Sequence, residues 1–288
     1  MKPDPRFLHL PKHFWAHVRC LGQKVGYTDR RTGDVKVPSG SDIEQALKAL
    51  SLSTAHLRTP EGKATELASN LLGYFAYRAA TLNKTVRPLL MNAQAAEALF
   101  NQLRASLRPT TPIPMNKQQG KKRKPAFLTG IVNMLVDAHR GEFSCDLDPR
   151  QLTSVTKDGM PLRTLARRVD GAFPSAVNPV AIWEVKEYYH TTTFGSRVAD
   201  GVYETLLDGM ELEELRQTEG LHVRHYLMLD DHFTWWECGR SYLCRLVDML
   251  HMGYVDEVLF GREIVDRLPL LVLEWAQLAA RAPCLNTC

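Results

Sequence analysis

The sequence predicts an α/β protein: a mixed central sheet laid down in the order α-β-β-β-α-β, preceded by a mainly helical N-terminal region. Three observations carry this reading. Apolar residues recur at helical spacing through most of the first hundred positions. Short apolar runs bounded by turn residues follow from about residue 150. The charge also changes sign along the chain. Residues 1–125 hold 21 Lys/Arg and 8 Asp/Glu (21 − 8 = +13), and residues 126–288 hold 15 and 24 (15 − 24 = −9), which together give the net +4.

The N-terminal half reads as follows. Residues 11–21 form a helix with Phe14, Val18 and Leu21 on one face. Residues 27–37 form a hairpin turning at Arg31-Thr32-Gly33-Asp34. A helix starts at Ser41, with Asp42 and Glu44 in its first turn and Ile43, Ala46, Leu47 and Leu50 as its stripe. Two longer helices span 63–82 and 93–107. The prolines from Pro109 to Pro114 stop helical structure. The polar run 117–124, Lys-Gln-Gln-Gly-Lys-Lys-Arg-Lys, marks a boundary. The expected division is 1–115, a linker at 116–125, and 126–288.

The second half begins with a helix over 127–138. Strands are expected at 152–156, 162–170 and 179–188, then a helix over 196–207, a strand at 222–229, and helical structure from Tyr242. Hydrophobic residues are 44% and charged residues 24% of the chain, the balance of a water-soluble globular protein. The most apolar stretch, 268–280, contains Glu274 and is too short to span a bilayer. Six cysteines occur without a Cys-x-x-Cys pair, so free thiols are expected. A zinc site from His232, Cys238, Cys244 and His251 matches no common ligand spacing. No glycine-rich phosphate loop, nucleophile elbow or dinucleotide fingerprint is present, which disfavours the commoner small-molecule enzymes.

The segment with chemical content is Val169-Asp170-Gly171 and then Glu184-Val185-Lys186, with thirteen residues between Asp170 and Glu184. Strand side chains alternate between faces, so Glu184 and Lys186 share one face while Trp183 and Val185 take the other. Asp170, ending the preceding strand, would come alongside Glu184. Two carboxylates meeting in this way form a hard oxygen site suited to Mg²⁺, with the Val185 carbonyl as a further ligand. Lys186, one pleat on, is placed to orient a water or neutralise charge on a phosphate. Asp34-Val35-Lys36 and Glu61-Gly62-Lys63 repeat the acid-x-Lys pattern, but in a turn and a polar loop. Glu187 falls on the opposite face.

Val169-Asp170-Gly171 with Trp183-Glu184-Val185-Lys186 resembles the PD-(D/E)xK nuclease superfamily, the fold of many type II restriction endonucleases. The resemblance covers roughly residues 126–230 and departs at Val169, where the superfamily's name has proline. It implies a restriction-endonuclease-like core, metal ligation by Asp170 and Glu184, and Lys186 as the catalytic lysine. It also implies a Mg²⁺-dependent endonuclease on double-stranded DNA, acting as a homodimer in a bacterial cytoplasm, with no membrane association. A structure-specific, transposon or defence nuclease and a non-catalytic DNA-binding protein remain as alternatives.

Asp137 and Glu142 are candidates for a third acid. Arg30, Arg31 and Lys36 on the hairpin, Lys121, Lys122 and Arg123 in the basic run, and Arg197 beyond the catalytic strand are candidate DNA contacts. Each also reads as an ordinary solvated charge. Trp235 and Trp236 suit base stacking or a core. The stripe Leu243, Leu246, Met249 and Leu250 suits packing or a dimer face.

Overall fold

A computed structural model describes residues 1–116, 123–190 and 195–281. The N-terminal helices are α1 (Pro5–Leu8), α2 (Lys12–Val25), α3 (Gly40–Ala49) and α4 (Glu66–Ala80). Helix α3 starts at Gly40, one residue before the expected Ser41. Ser39 caps the backbone N–H of Asp42, and the Asp42 carboxylate accepts from the N–H of Ser39, a capping box. The apolar faces of these helices make their own core, including Phe14, Val18, Leu47, Leu71 and Tyr74. The expected hairpin at 27–37 is reduced to a single bridge, Thr28 with Val35.

Helix α5 (Ala93–Leu107) does not join that bundle. Its Ala96, Phe100 and Leu103 pack into a second core with α6 (Phe127–His139). The helix thus contributes to the second half, although it precedes the boundary that the sequence suggests. Residues 114–116 and 124–126, on either side of residues 117–122, are joined by backbone hydrogen bonds. The N–H of Asn116 donates to the Lys124 carbonyl at 2.9 Å, and that of Ala126 to the Pro114 carbonyl at 2.9 Å. Lys121 and Lys122 lie outside the described residues.

Among the described residues six strands follow: β1 (Ser154–Lys157), β2 (Met160–Thr164), β3 (Gly171–Phe173), β4 (Ala181–Glu187), β5 (Arg224–Asp230) and β6 (Glu257–Phe260). The helices among them are α7 (Ser196–Glu219), α8 (Arg240–His251) and α9 (Ile264–Arg281). The main sheet runs β3-β4-β5-β6. The β3/β4 pair is antiparallel and the other two are parallel. The first two strands form a separate antiparallel hairpin turning at Asp158-Gly159, where both residues have positive φ.

The mixed α/β class stands, with three corrections. The strand expected over 162–170 ends at Thr164, and Asp170 instead immediately precedes β3. Strand β6 lies where continued helix was expected. Its four residues, Glu257-Val258-Leu259-Phe260, are all buried, and a run that short carries no legible period. Helix α7 extends to Glu219, well past 207.

The sheet is covered on both sides. Trp183 projects towards α9 and stacks on Trp275 at 5.3 Å between ring centroids. The same core holds Ile131 and Leu135 of α6. On the other face Ile182 meets Leu212 and Leu215 of α7, while Leu227 and Leu229 meet Leu243, Leu246 and Leu250 of α8. The stripe on α8 is therefore core, and so are Trp235 and Trp236, which are sealed at 0% and 1% exposure. Those side chains are closed to stacking on bases and to a dimer face.

Gly171 is required by close approach. A Cβ there would stand 2.1 Å from the Trp183 indole. Gly171→Ala should lower stability by about 1–3 kcal/mol through overpacking. A denaturant midpoint unchanged from the parent would contradict that packing.

A candidate active site

The candidate residues meet where three segments converge: the approach to β3, the middle of β4, and the first half of α7. On β4, Glu184 and Lys186 lie two residues apart and share a face, as the pleat dictates. The Lys186 Nζ is 2.8 Å from Glu184 Oε2. Asp170 arrives from the neighbouring segment. Its backbone N–H donates to the Trp183 carbonyl and to Glu184 Oε1, both at 3.2 Å. Its own Oδ2 accepts from the N–H of Val185 at 2.8 Å. Asp170, Glu184, Val185 and Lys186 thus come together, as the spacing predicts.

Sequence reasoning missed three further members. Arg167, three residues before Asp170, reaches both oxygens of Glu184, with Nη1 at 2.9 Å and Nη2 at 3.0 Å. The same guanidinium bonds Asp208 Oδ2 at 2.6 Å and Glu204 Oε2 at 3.3 Å. Glu204 also accepts from Lys186 at 2.7 Å. Glu204 and Asp208 are four residues apart, so α7 presents both on one face. That i,i+4 acid pair was the signal available in the sequence. It becomes meaningful only once α7 is known to lie over β4.

The result is four carboxylates gathered around two cations. Glu184 and Asp208 have no solvent exposure, while Glu204 is 39% exposed and marks the way in. Burial pushes the Glu184 carboxyl up, but Lys186 and Arg167 overcome it and hold the group below the usual carboxylate range. Burial opposes the Lys186 ammonium, yet the charges of Glu184 and Asp170 keep it above the usual lysine range. Asp170 is pushed up to about 6, first by burial and then by repulsion from Glu184. Asp208 is pushed up to about 7 by burial, despite Arg167. Its second oxygen, Oδ1, is buried with no hydrogen-bond partner.

The sign for Asp208 is that of a raised carboxyl. Folded, it keeps its proton between about pH 4 and 7, where the unfolded chain has released it, so its contribution to stability declines as pH rises through that window. Asp208→Asn should therefore gain stability relative to the parent between pH 5 and pH 8. Paired urea titrations would check this, and a difference independent of pH would rule it out.

The other candidates are scattered. Asp137 pairs with Arg140 at 3.0 Å, and Glu142 is exposed. Neither is among the main charges acting on Asp170. Glu187 faces away, as expected. Its carboxylate accepts from the N–H of Leu128 at 2.9 Å and from the hydroxyl of Thr129 at 2.7 Å, capping α6. Arg30, Arg31, Arg123 and Arg197 are exposed, and Lys36 is half-buried. Among the described residues, no group of three or more His, Cys, Asp or Glu side chains is arranged to hold a metal ion. This covers the His232, Cys238, Cys244 and His251 set. No described helix is long and apolar enough to cross a membrane.

Fold and site together define a mixed α/β protein whose sheet carries a largely buried carboxylate–cation cluster, open to solvent at Glu204. Residues 91–275 match DUF7687, a domain of unknown function, and residues 1–85 match a second such domain, DUF7690. The DUF7687 match spans more than half of the chain, and the protein belongs to that family. No curated protein sequence matches the chain, and no solved structure matches it.

Proposed function

We propose that the protein is a Mg²⁺-dependent endonuclease hydrolysing phosphodiester bonds in double-stranded DNA, with Asp170, Glu184 and Lys186 at its centre. The observation that carries this reading is the pairing of Lys186 Nζ with Glu184 at 2.8 Å, on the strand beside Asp170. A buried ammonium held beside two carboxylates is the arrangement that metal-assisted attack on a phosphate calls for.

The donor chemistry suits magnesium, which needs only one or two protein carboxylates and keeps several waters. Burial first, and then repulsion from Glu184, raise the pKa of Asp170, and a cation bound there would relieve the repulsion. Bound there, the ion would activate water and stabilise phosphate charge. Asp170 and Glu184 would hold it, with the Val185 carbonyl as a further ligand. Lys186 would orient the attacking water or neutralise the phosphate. Both oxygens of Glu184 already accept from Arg167, so this arginine must yield at least one of those bonds. Action as a homodimer, one centre per strand, and sequence-specific cleavage of the type II kind belong to the same proposal. So does a bacterial cytoplasmic setting.

A second reading rests on Arg167. A guanidinium bound to both oxygens of Glu184, and to Asp208 and Glu204, is also what a closed structural ion-pair network presents. On that reading the protein binds DNA through its basic half and does not cut it. Incubation of purified protein with phage genomic DNA, in Mg²⁺ or in EDTA, separates the two. Discrete Mg²⁺-dependent fragments are expected. Metal-independent, salt-sensitive binding without cleavage, on plain and branched substrates alike, would favour the second reading.

A further inference from the structure

A groove of about 980 Å³ runs between the N-terminal helices and the end of the sheet remote from the carboxylate cluster. Arg224, which opens β5, lines it, whereas Glu184 and Lys186 pair with Leu227 and Leu229 further along that strand. One wall carries Lys2, Lys12 and Arg19. The other carries Arg216, Arg224 and Arg281. The first three belong to the segment matching DUF7690, while Arg216 and Arg224 belong to the DUF7687 segment. Clefts between domains are favoured positions for small ligands, and about 300–1,000 Å³ is their usual volume.

The charges in this groove are unequally satisfied. Its carboxylates are already engaged. Asp256 accepts from Arg224 at 3.0 Å and from the N–H of His225 at 2.8 Å. Glu257 is clamped by Arg267, with Nε and Nη2 both at 2.9 Å, and Glu274 shares that arginine at 3.2 Å. Glu213 accepts from Gln217 at 2.8 Å. On the cation side, Lys2, Lys12 and Arg281 have no carboxylate partner among the described residues, and Arg19 reaches only towards the Met252 sulfur at 3.6 Å. A thioether is a weak acceptor. Four cations without acids among the described residues therefore line one concave space, which suits a ligand carrying several negative charges. Arginine forks and lysine ammoniums from two walls suit phosphate oxygens.

We propose that this inter-domain groove binds a small ligand bearing several phosphates, of nucleoside polyphosphate size, through Lys2, Lys12, Arg19 and Arg281. The ligand would bridge the two domains. This inference stands apart from DNA cleavage.

Isothermal titration of the full chain with inorganic triphosphate and with ATP tests it. Saturable binding near one per chain is expected for both, and tighter binding of ATP would add a contribution from the nucleoside. The double variant Lys12→Glu/Arg19→Glu should weaken binding at least tenfold. Lys24→Glu/Lys48→Glu, which makes the same change in net charge at exposed positions outside the groove, should leave it within twofold. Circular-dichroism melts would confirm that both variants fold. No saturable binding of either probe, or equal loss in both variants, would overturn the proposal. So would a single-stranded oligonucleotide that binds more tightly than triphosphate through Lys12 and Arg19, because the groove would then be a nucleic-acid track.

Discussion

Lys186→Ala is expected to reduce Mg²⁺-dependent DNA cleavage by about a hundred- to a thousand-fold, the usual loss when one preorganised electrostatic group is removed. The reasoning starts from the strand. Lys186 is buried, and its ammonium is held between Glu184 at 2.8 Å and Glu204 at 2.7 Å. Among the described residues no other lysine bonds to this pair, and Arg167 approaches Glu184 from its own segment. Removing Lys186 leaves Glu184 with Arg167 as its counter-charge, so the fold should survive. DNA affinity measured in EDTA should be little changed, because the exposed basic residues remain. Single-turnover cleavage measured beside a binding curve gives both quantities. Cleavage at the parent rate would remove Lys186 from the chemistry and, with it, the nuclease assignment of this cluster.

Asp248→Ala should produce the largest stability loss, about 3–5 kcal/mol, because it strands a buried charge. Arg78 on α4 is 2% exposed and bonds both oxygens of Asp248 on α8, at 2.8 Å and 3.0 Å. The Tyr74 hydroxyl donates to the same carboxylate at 2.6 Å. This triad fastens the N-terminal helices to the sheet layer. Without Asp248 the guanidinium has lost its carboxylate inside a sealed site. Replacing both partners together, as Arg78→Met/Asp248→Leu, should recover much of the loss, since apolar groups of similar size need no counter-charge. Chemical denaturation would measure both variants. A single variant as stable as the parent would mean that the triad contributes nothing to holding the two parts together.

The helices with strong periodicity were legible in the sequence. Residues 93–107 match α5 exactly in extent, and residues 127–138 fall within one position of α6. The centre of the candidate site was legible as well. A period-two strand fixes the common face of Glu184 and Lys186, and a short return brings Asp170 beside it. Arg167, Glu204 and Asp208 were not legible, for a physical reason. Each is an ordinary charged residue in its local setting, and its role comes only from α7 packing across β4. Strand β6 escaped because four buried residues carry no period. The groove is invisible in sequence, since its cations are spread from Lys2 to Arg281.

Local rules thus determined the helices, the pleat and the order of acid and lysine along one strand, because those depend on neighbours a few residues away. Tertiary structure alone decided which charges would be sealed together and which would be left facing open space. Desolvation and pairing act on distances through space, and segments far apart in the chain set those distances.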